Sequence, residues 1–374
     1  MDKNDRSSIT GSTLLEAKIY ANAFNLIPDL GPVSLQKLFN YFNDWHSAWI
    51  GSGHDYIDAG LSAKTISQII AKKPKINPEP LFAELTRRQI EVVLMSEPDY
   101  PQLLKEIHAA PPILYVRGQK QALNKLAIAV VGTRKMSNYG RQATEELVTG
   151  LVTNGAAIVS GLAFGIDAAA LDTAVINQGV GVAVLASDLD NTNISPRSNF
   201  NLSQKILEHG CLISEYPLGM VVQKQNFPIR NRLISGLSLG TLVIEADVSS
   251  GALITANFAL EQNREVFAIP GSIFSPTSRG TNQLIKKGAK LVNSAYDILE
   301  ELNLDSQVLA EPLMQSVTSV EELILKHLAH PGLHINDLIK TVRLQAAAVN
   351  ASLTLLEIKG RVKNLGGGQY VKVR

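Results

Sequence analysis

The chain has 374 residues, of which 45% are hydrophobic and 18% are charged, and its formal net charge is +1. This length suits two or three domains with well-packed cores, and a single cysteine excludes a disulfide framework and a cysteine-rich metal site. The polar start, MDKNDRSSIT, is not typical of a signal peptide, and no apolar run approaches the roughly 18 to 20 residues that span a membrane. A cytoplasmic protein without a membrane segment is therefore expected.

The first 76 residues are predicted to form an N-terminal helical domain of the SAM or helix-hairpin-helix type. Within it, the segment Leu26 to Phe42, LIPDLGPVSLQKLFNYF, resembles a helix-hairpin-helix, in which a glycine hairpin donates backbone N–H groups to a DNA phosphate. Asp29 stands where the first glycine usually lies, and a carboxylate beside a phosphate is unfavourable. A structural or protein-contact role is therefore favoured over direct DNA contact.

Residues 77–302 show continuous apolar runs of strand length, as expected for strands that are covered on both faces. The runs are LAIAVV (126–131), AAIVSG (156–161), TLVIEA (241–246) and EVFAIP (265–270). Turns rich in glycine or serine and segments with helical spacing separate them. This alternation predicts an α/β fold with a mostly parallel, doubly wound sheet of the extended Rossmann type.

Three of the turns in this sheet domain are suited to binding an anion. Gly132 lets the chain turn closely above the first strand, and Arg134 projects from that turn. Gly161 and Gly165 follow the second strand, and the turn 249–251, Ser-Ser-Gly, lies between a strand and a helix. Free backbone N–H groups and the helix dipole favour a negative charge at such positions.

The charges are segregated along the chain although the net charge is close to zero. The segments 107–144, 216–244 and 266–296 contain lysine and arginine but no Asp or Glu. If the ends of parallel strands bring these segments together, they make one positive groove. That pattern indicates a polyanionic ligand and makes a purely structural scaffold unattractive.

Six motifs in the sheet domain carry a resemblance to a known family. The motifs are GTRKMSNYG, SGLAFGID, SEYPLG, FPIRNRLISGLS, VIEADVSSGALITA and AIPG, in this order between about Pro98 and Leu302. They resemble the signature of the DNA-processing protein A family (DprA/Smf). The resemblance implies a homodimeric protein that binds single-stranded DNA without cleaving it, protects incoming DNA and loads the RecA recombinase during natural transformation.

The same resemblance implies a set of DNA- or phosphate-binding residues in the matching motifs. They are Gly132, Thr133, Arg134 and Ser137 in the first loop, Ser160, Gly161 and Gly165 in the second, Lys224, Phe227, Arg230, Asn231 and Arg232 around FPIRNR, and Ser250 and Gly251. Arg134 and Arg230 are expected to face solvent. Phe227 is equally compatible with base stacking and with core packing.

Two positions depart from the family pattern. Leu171 stands where the family usually has a histidine, so a role for that histidine is dispensable or lost in this chain. The segment Ala186 to Asn199 replaces a glycine-rich turn and a YPxxN motif. This difference affects the expected shape of the groove wall but not the phosphate loops.

A linker at 303–316 is predicted to lead to a C-terminal winged-helix domain at 317–374. The segment shows helical spacing three times and then a short strand pair around Gly366 to Gly368. Its recognition stretch, LQAAAVNASLTLLEIKG, is nearly devoid of cations. A protein-docking or dimer-supporting module is therefore at least as consistent with the sequence as a DNA-reading one.

No catalytic centre, metal site or cofactor is predicted. Asp167 at a helix start is explained as a capping carboxylate, and Glu245 and Asp247 as groups that orient backbone or arginines. The glycine motifs lack histidine, and no nucleophile elbow or Walker lysine occurs.

The alternative function is a lysine-decarboxylase-like Rossmann enzyme that acts on a nucleoside monophosphate. Such an enzyme would carry a PGGxGTxxE-type loop. The segment GLSLGTLVIEA keeps the GT pair and Glu245 but lacks the paired glycines and the preceding proline.

Overall fold

A nine-stranded sheet organises the first part of the computed structural model, which describes residues 11–304, 319–328, 333–342, 344, 346–358 and 361–372. The described residues form two compact units, one within Met1–Leu309 and one within Ala310–Arg374. The strands of the first unit are β1 (Glu91–Leu94), β2 (Ile113–Gly118), β3 (Ala127–Val131), β4 (Ala157–Ser160), β5 (Gly181–Val184), β6 (Cys211–Ser214), β7 (Gly240–Val243), β8 (Glu265–Ala268) and β9 (Lys290–Leu291).

The strand order in space is β1-β2-β6-β5-β4-β3-β7-β8-β9. All neighbours from β6 to β9 in this order are parallel, whereas β2 is antiparallel to β1 and β6. The chain winds outwards from β3 through β4, β5 and β6, then returns to place β7 on the other side of β3. The mostly parallel, doubly wound sheet predicted from the sequence is therefore confirmed.

Helices cover both faces of this sheet. They are α7 (Gln102–Lys105), α8 (Asn138–Thr153), α9 (Ile166–Ile176), α10 (Phe200–His209), α11 (Asn226–Gly236), α12 (Ala252–Glu261), α13 (Pro276–Lys286) and α14 (Ala295–Glu301). Alternate residues of β3 enter different cores: Ile128 packs with Leu147 of α8, whereas Ala129 shares a core with Leu233 of α11. This two-sided burial explains why the strands read as continuous apolar runs.

The N-terminal helices share a hydrophobic core with the antiparallel edge of the sheet. They are α1 (Gly11–Asn25), α2 (Pro32–Phe42), α3 (Trp45–Ile50), α4 (Gly53–Asp58), α5 (Ala63–Lys72) and α6 (Pro78–Arg87). Phe24 and Trp45 lie in one core with Tyr115 of β2, whose hydroxyl donates to Asn22 Oδ1 at 2.8 Å. The sequence analysis predicts a separate domain at 1–76, and these bounds stay a prediction.

Asp29 lies in the turn that connects α1 to α2. Asp29 adopts a φ of 65°, in the left-handed region that favours glycine, and its carboxylate lies 3.1 Å from Lys64 Nζ. The pairing partly neutralises this carboxylate but also occupies a lysine that a phosphate would use. The expectation that direct DNA contact by this hairpin is disfavoured stays a prediction.

The second unit has the arrangement of a winged helix. It contains α15 (Ser319–His327), β10 (Leu333–His334), α16 (Ile335–Val342), α17 (Ala346–Ile358), β11 (Val362–Gly366) and β12 (Gln369–Lys372). The three strands form a sheet in the order β10-β12-β11, and the strand pair predicted around Gly366 to Gly368 is confirmed. Residues 305–316 of the predicted linker lie outside the described residues. None of the described helices in either unit is long and apolar enough to cross a membrane.

Candidate nucleic-acid interface

A cavity of about 590 Å³ opens at the carboxyl ends of β3 and β7. The winding of the sheet reverses between these two strands, and open α/β sheets bind their ligands at such a point. The cavity walls come from the β3–α8 loop, helix α11 and the turn before α12. Nine of the predicted binding residues line it: Gly132, Thr133, Arg134, Lys224, Phe227, Arg230, Asn231, Ser250 and Gly251.

Two glycine loops are stacked against each other beside the cavity. A Cβ on Gly132 would lie 2.5 Å from Ile166 Cγ1, so only glycine allows this approach to α9. Gly165 has a φ of 76°, and a Cβ there would meet the carbonyl oxygen of Thr133 and lie 2.8 Å from the carbonyl carbon of Arg134. Gly165 thus packs against the β3–α8 loop but does not line the cavity.

The exposed cations of the cavity are Arg134 and Lys224. Neither takes part in an ion pair within the part of the chain that the structure describes, although the Arg134 guanidinium lies 5.3 Å from the centroid of the Phe227 ring. Asp247 contributes a carboxylate, whose Oδ1 accepts the N–H of Val248 at 2.7 Å. The accessible charge is therefore positive on balance.

The expectation that Arg230 faces solvent is wrong, because the residue is only 3% exposed. Its Nη1 donates to the carbonyl oxygens of Gly161, at 2.8 Å, and Val184 at the ends of β4 and β5. Burial lowers the pKa of Arg230 to about 10, and the Asp167 carboxylate opposes that shift. Arg230 therefore remains cationic at neutral pH and forms a charged floor of the cavity.

Asp167 is a buried carboxylate near Arg230, but the two side chains form no ion pair or hydrogen bond among the described residues. Its Oδ2 accepts the N–H of Gly161 at 3.1 Å, and burial raises its pKa while the charge of Arg230 opposes the rise. A Cβ on Gly161 would lie 2.6 Å from Arg230 Nη2 and 2.7 Å from Asp167 Oδ2, so glycine leaves room for both side chains. The sequence identified Asp167 as a capping group but not as a charge near an arginine on a different helix.

Phe227 is half-buried and lines the cavity between two guanidinium groups. Its ring centroid lies 5.9 Å from Arg230 Cζ, in addition to the contact with Arg134. Asn231 accepts from Arg230 Nε at 3.2 Å and donates to the carbonyl of Gly251 at 3.4 Å. Asn231 thus connects α11 to the turn before α12.

The turn before α12 carries Ser250 and Gly251, the two anion donors predicted at this helix N-terminus. The N–H of Ser250 donates to the Asp247 carbonyl at 2.9 Å, and its Oγ accepts the N–H of Ala252 at 3.3 Å. Gly251, by contrast, has open space around its Cα, and its N–H has no acceptor among the described residues. The N–H of Gly251 and the O–H of Ser250, which has no acceptor among the described residues, are therefore both available to an anion at the N-terminus of α12.

Three predicted polar residues have structural partners and do not line the cavity. Ser137 caps α8 and donates from its Oγ to Glu245 Oε1 at 2.6 Å. Ser160 is buried, with its Oγ donating to the Val130 carbonyl at 2.6 Å. Arg232 forms a buried ion pair with Glu215, so the phosphate contact predicted for Arg232 does not fit this geometry.

The two departures from the family pattern also have structural explanations. Leu171 is fully buried beside Leu162 and Ala183, where an apolar side chain fills the core. In the altered segment, the Asp188 carboxylate accepts from Asn193 Nδ2 at 3.0 and 3.1 Å and from the Gly219 N–H at 2.6 Å. These hydrogen bonds join residues within the segment and tie the segment to Gly219, and none of the three residues lines the cavity.

Within the described residues, no three His, Cys, Asp or Glu side chains form a group that would hold a metal ion. The polar groups of the cavity are guanidinium, ammonium, amide and hydroxyl groups with two carboxylates, those of Asp167 and Asp247. This donor set is suited to phosphate groups along an open surface.

Comparison with known proteins assigns both units of the chain to described families. Residues 91–303 match the family described as DNA recombination-mediator protein A, and residues 308–368 match the DprA winged helix domain. The DNA processing protein DprA of Bacillus subtilis is 40% identical over 249 residues, which cover 66% of this chain and 82% of that protein.

Two solved structures are similar to the chain as folds and as sequences. The DNA processing protein A of Streptococcus pneumoniae has a TM-score of 0.65 at 33% identity and covers 76% of this chain and 96% of its own. The protein from Helicobacter pylori has a TM-score of 0.53 at 30% identity, covers 58% of this chain and 97% of its own, and is described with a single-stranded DNA binding mode.

Proposed function

The chain belongs to the DNA recombination-mediator protein A family, and we propose that it binds single-stranded DNA through the cavity between β3 and β7. The observation that carries the proposal is the combination, at that cavity, of an aromatic ring with two exposed cations that have no ion-pair partner among the described residues. Arg134 and Lys224 provide phosphate contacts, and the half-buried ring of Phe227 offers a face for stacking on a base. The structure solved for the H. pylori relative supports this ligand class.

The arrangement favours backbone binding over base readout. Charge-assisted contacts from guanidinium and ammonium groups are independent of sequence, and stacking on an aromatic ring tolerates every base. Asn231 is the amide side chain that lines the cavity, and both ends of this amide already have protein partners. Binding is therefore salt-dependent and largely independent of sequence.

We also propose that the bound strand is protected and handed to the RecA recombinase, and that the protein acts as a homodimer. The family membership supports both statements. Two linked binding sites raise the effective concentration of the second contact on one strand, which suits a protein that holds DNA while a filament is loaded.

The protein is proposed to act without catalysis, because the carboxylate that the enzyme alternative would use already has structural partners. Glu245, the residue that a lysine-decarboxylase-like enzyme would use, accepts from Ser137 Oγ at 2.6 Å, Ser137 N–H at 2.9 Å and Thr277 Oγ1 at 2.8 Å. Its side chain does not line the cavity, and Asp167 is buried with its Oδ2 accepting the N–H of Gly161. Neither group is available as a general base.

Fluorescence anisotropy with labelled single-stranded and duplex oligonucleotides over a salt series tests the proposal. We expect tight, single-strand-preferring binding, which the Arg134→Ala, Lys224→Ala double variant weakens on the order of a hundredfold, because hydrogen bonds to charged groups contribute about 1.5–3 kcal/mol each. The slope of log affinity against log salt falls by about 1.4 when two phosphate contacts are lost.

Lys205→Ala is the matched control, because Lys205 is an exposed lysine on α10 that lines none of the cavities at the switch point. A nucleoside monophosphate competitor decides between the two functions. Displacement of DNA by the monophosphate at comparable concentration, or its turnover by the protein, would replace the DNA-binding proposal with the enzyme alternative.

A further inference from the structure

A second cavity, of about 380 Å³, lies next to the cavity of the proposed DNA site. The two share Ser249, Ser250 and Ile254, so the turn before α12 forms a low ridge between them. The second cavity lies between α12 and α13, on the side of the ridge away from Arg134. A ligand that is longer than the first cavity therefore meets the second one when it crosses this ridge.

Polar side chains line the second cavity from both helices. Asn257 lies one turn after Ile254 on α12, and Gln283 and Lys287 follow Gly280 at helical spacing along α13. Asn257, Gln283 and Lys287 are all exposed. Amide and ammonium groups that converge on an open cavity are donors for the oxygens of an anion.

The charge of this cavity is positive. The segment 266–296, which contains α13, has no Asp or Glu, and the lining residues of the cavity include Lys287 but no carboxylate. Lys290 pairs with Glu301 at 2.6 Å, whereas Lys287 takes part in no ion pair within the residues that the structure describes. Lys287 is therefore available to a ligand.

Helix α13 is held rigidly next to the ridge by a close backbone contact. The N–H of Gly280 donates to the Ala246 carbonyl at 2.8 Å, and a Cβ on Gly280 would lie 2.6 Å from that oxygen and 2.8 Å from the Asp247 carbonyl. The same segment, 246–247, ends at the turn that forms the ridge. The two cavities are thus fixed relative to each other by one short stretch of backbone.

We propose that the cavity between α12 and α13 is a second subsite for the same nucleic-acid strand, with Lys287 as its phosphate contact. The proposal rests on the proposed function, because it extends the strand from the first cavity across the ridge at Ser249 and Ser250. Gln283 and Asn257 donate to phosphate or sugar oxygens, and the exposed side chain of Ile254 lies under the strand where it crosses. The ligand is a single strand long enough to occupy both cavities.

The test is the dependence of affinity on strand length for the full chain and three variants. Labelled oligodeoxythymidylates from about 4 to about 16 nucleotides cover the range that single-strand binding folds occupy. In the unmodified protein, affinity rises with length until both cavities are filled. We expect Lys287→Gln to weaken binding of the long strands about three- to fivefold and to leave the shortest strands unchanged, because one exposed charge contact is removed.

Lys287→Arg is expected to keep the length dependence, and Lys205→Gln is the control for loss of one positive charge from an exposed helix. The salt slope for long strands falls by about 0.7 in Lys287→Gln and not in the control. A merely structural role of Lys287 at the C-terminal end of α13 would change the melting temperature without changing the length dependence.

The outcomes separate this inference from the proposed function. If the protein binds short and long strands but Lys287→Gln behaves like Lys205→Gln at every length, the second subsite is refuted and the first site stands. If Lys287→Gln weakens short and long strands equally, its effect is general electrostatic attraction and the subsite is again refuted. If the unmodified protein binds no strand of any length, both proposals fail.

Discussion

The β3–α8 loop and helix α11 each bring an arginine to the same cavity, but the two arginines have different roles. Arg134, in the loop, is exposed and has no carboxylate partner among the described residues. Arg230, on the helix, is 3% exposed, lies near the buried Asp167 carboxylate and donates hydrogen bonds to the carbonyl oxygens of Gly161 and Val184 at two strand ends. The loop thus presents an accessible charge at the cavity, whereas the helix uses its charge to hold the walls of the cavity together.

The largest expected effect is on stability, from Arg230→Met. The substitution leaves the buried carbonyl oxygens of Gly161 and Val184 without their donor, at about 1–3 kcal/mol for each, and removes the positive charge near the buried Asp167. Chemical denaturation followed by circular dichroism measures the loss, and Arg134→Met is the matched control, with a change within about 0.5 kcal/mol. The Asp167→Asn, Arg230→Met double variant should recover part of the loss. Equal stability of the two single arginine variants would contradict the division of roles.

A smaller effect is expected from moving the loop that carries Arg134. Gly165→Ala places a methyl group against the backbone of Thr133 and Arg134 at a φ of 76°, which costs about 1–3 kcal/mol and displaces the loop. Gly251→Ala is the matched control, because its Cβ meets nothing within 4 Å and its φ is −59°.

We expect Gly165→Ala to lower both the melting temperature and the affinity for single-stranded DNA, and Gly251→Ala to change the melting temperature little. Both are measured by calorimetry and anisotropy on the same preparations. Unchanged DNA affinity in Gly165→Ala would show that the position of the Arg134 loop does not govern binding.

The smallest effect concerns Phe227, which lies between the two arginines. Phe227→Leu keeps an apolar side chain but removes the ring, and we expect affinity to fall by about 1 kcal/mol, at the low end of base–aromatic stacking. Phe227→Tyr keeps a ring and should retain binding. If Phe227→Leu lowers stability and leaves affinity intact, the ring serves packing and its contact with the two guanidinium groups is structural.

Much of the fold could be predicted from local pattern. The apolar runs at 126–131, 156–161, 241–246 and 265–270 correspond to β3, β4, β7 and β8, because strands covered on both faces require apolar residues at every position. The wing strands were marked by Gly366 to Gly368, all of which adopt positive φ. A turn at glycine can be predicted from sequence, because the backbone conformation that requires glycine is a local property of the chain.

The roles of the charged residues could be predicted less well from the sequence. Arg230 and Arg232 are separated by one residue on α11 and look alike in sequence, yet Arg230 contacts the cavity floor and Arg232 pairs with Glu215 away from it. Helical geometry directs them to different neighbours, and those neighbours, Asp167 and Glu215, come from other parts of the chain. No local pattern specifies such a pairing.

The sequence by itself determined the α/β class, the parallel strands, the glycine loops and the segregation of positive charge, since each depends on residues close together in the chain. Only the tertiary structure decided which cations are exposed, that the N–H of Gly251 has no acceptor among the described residues, and that a second cavity adjoins the first. Exposure and pairing depend on which distant segments meet when β7 returns to the other side of β3. That juxtaposition places Arg134 at the surface and Arg230 beneath it.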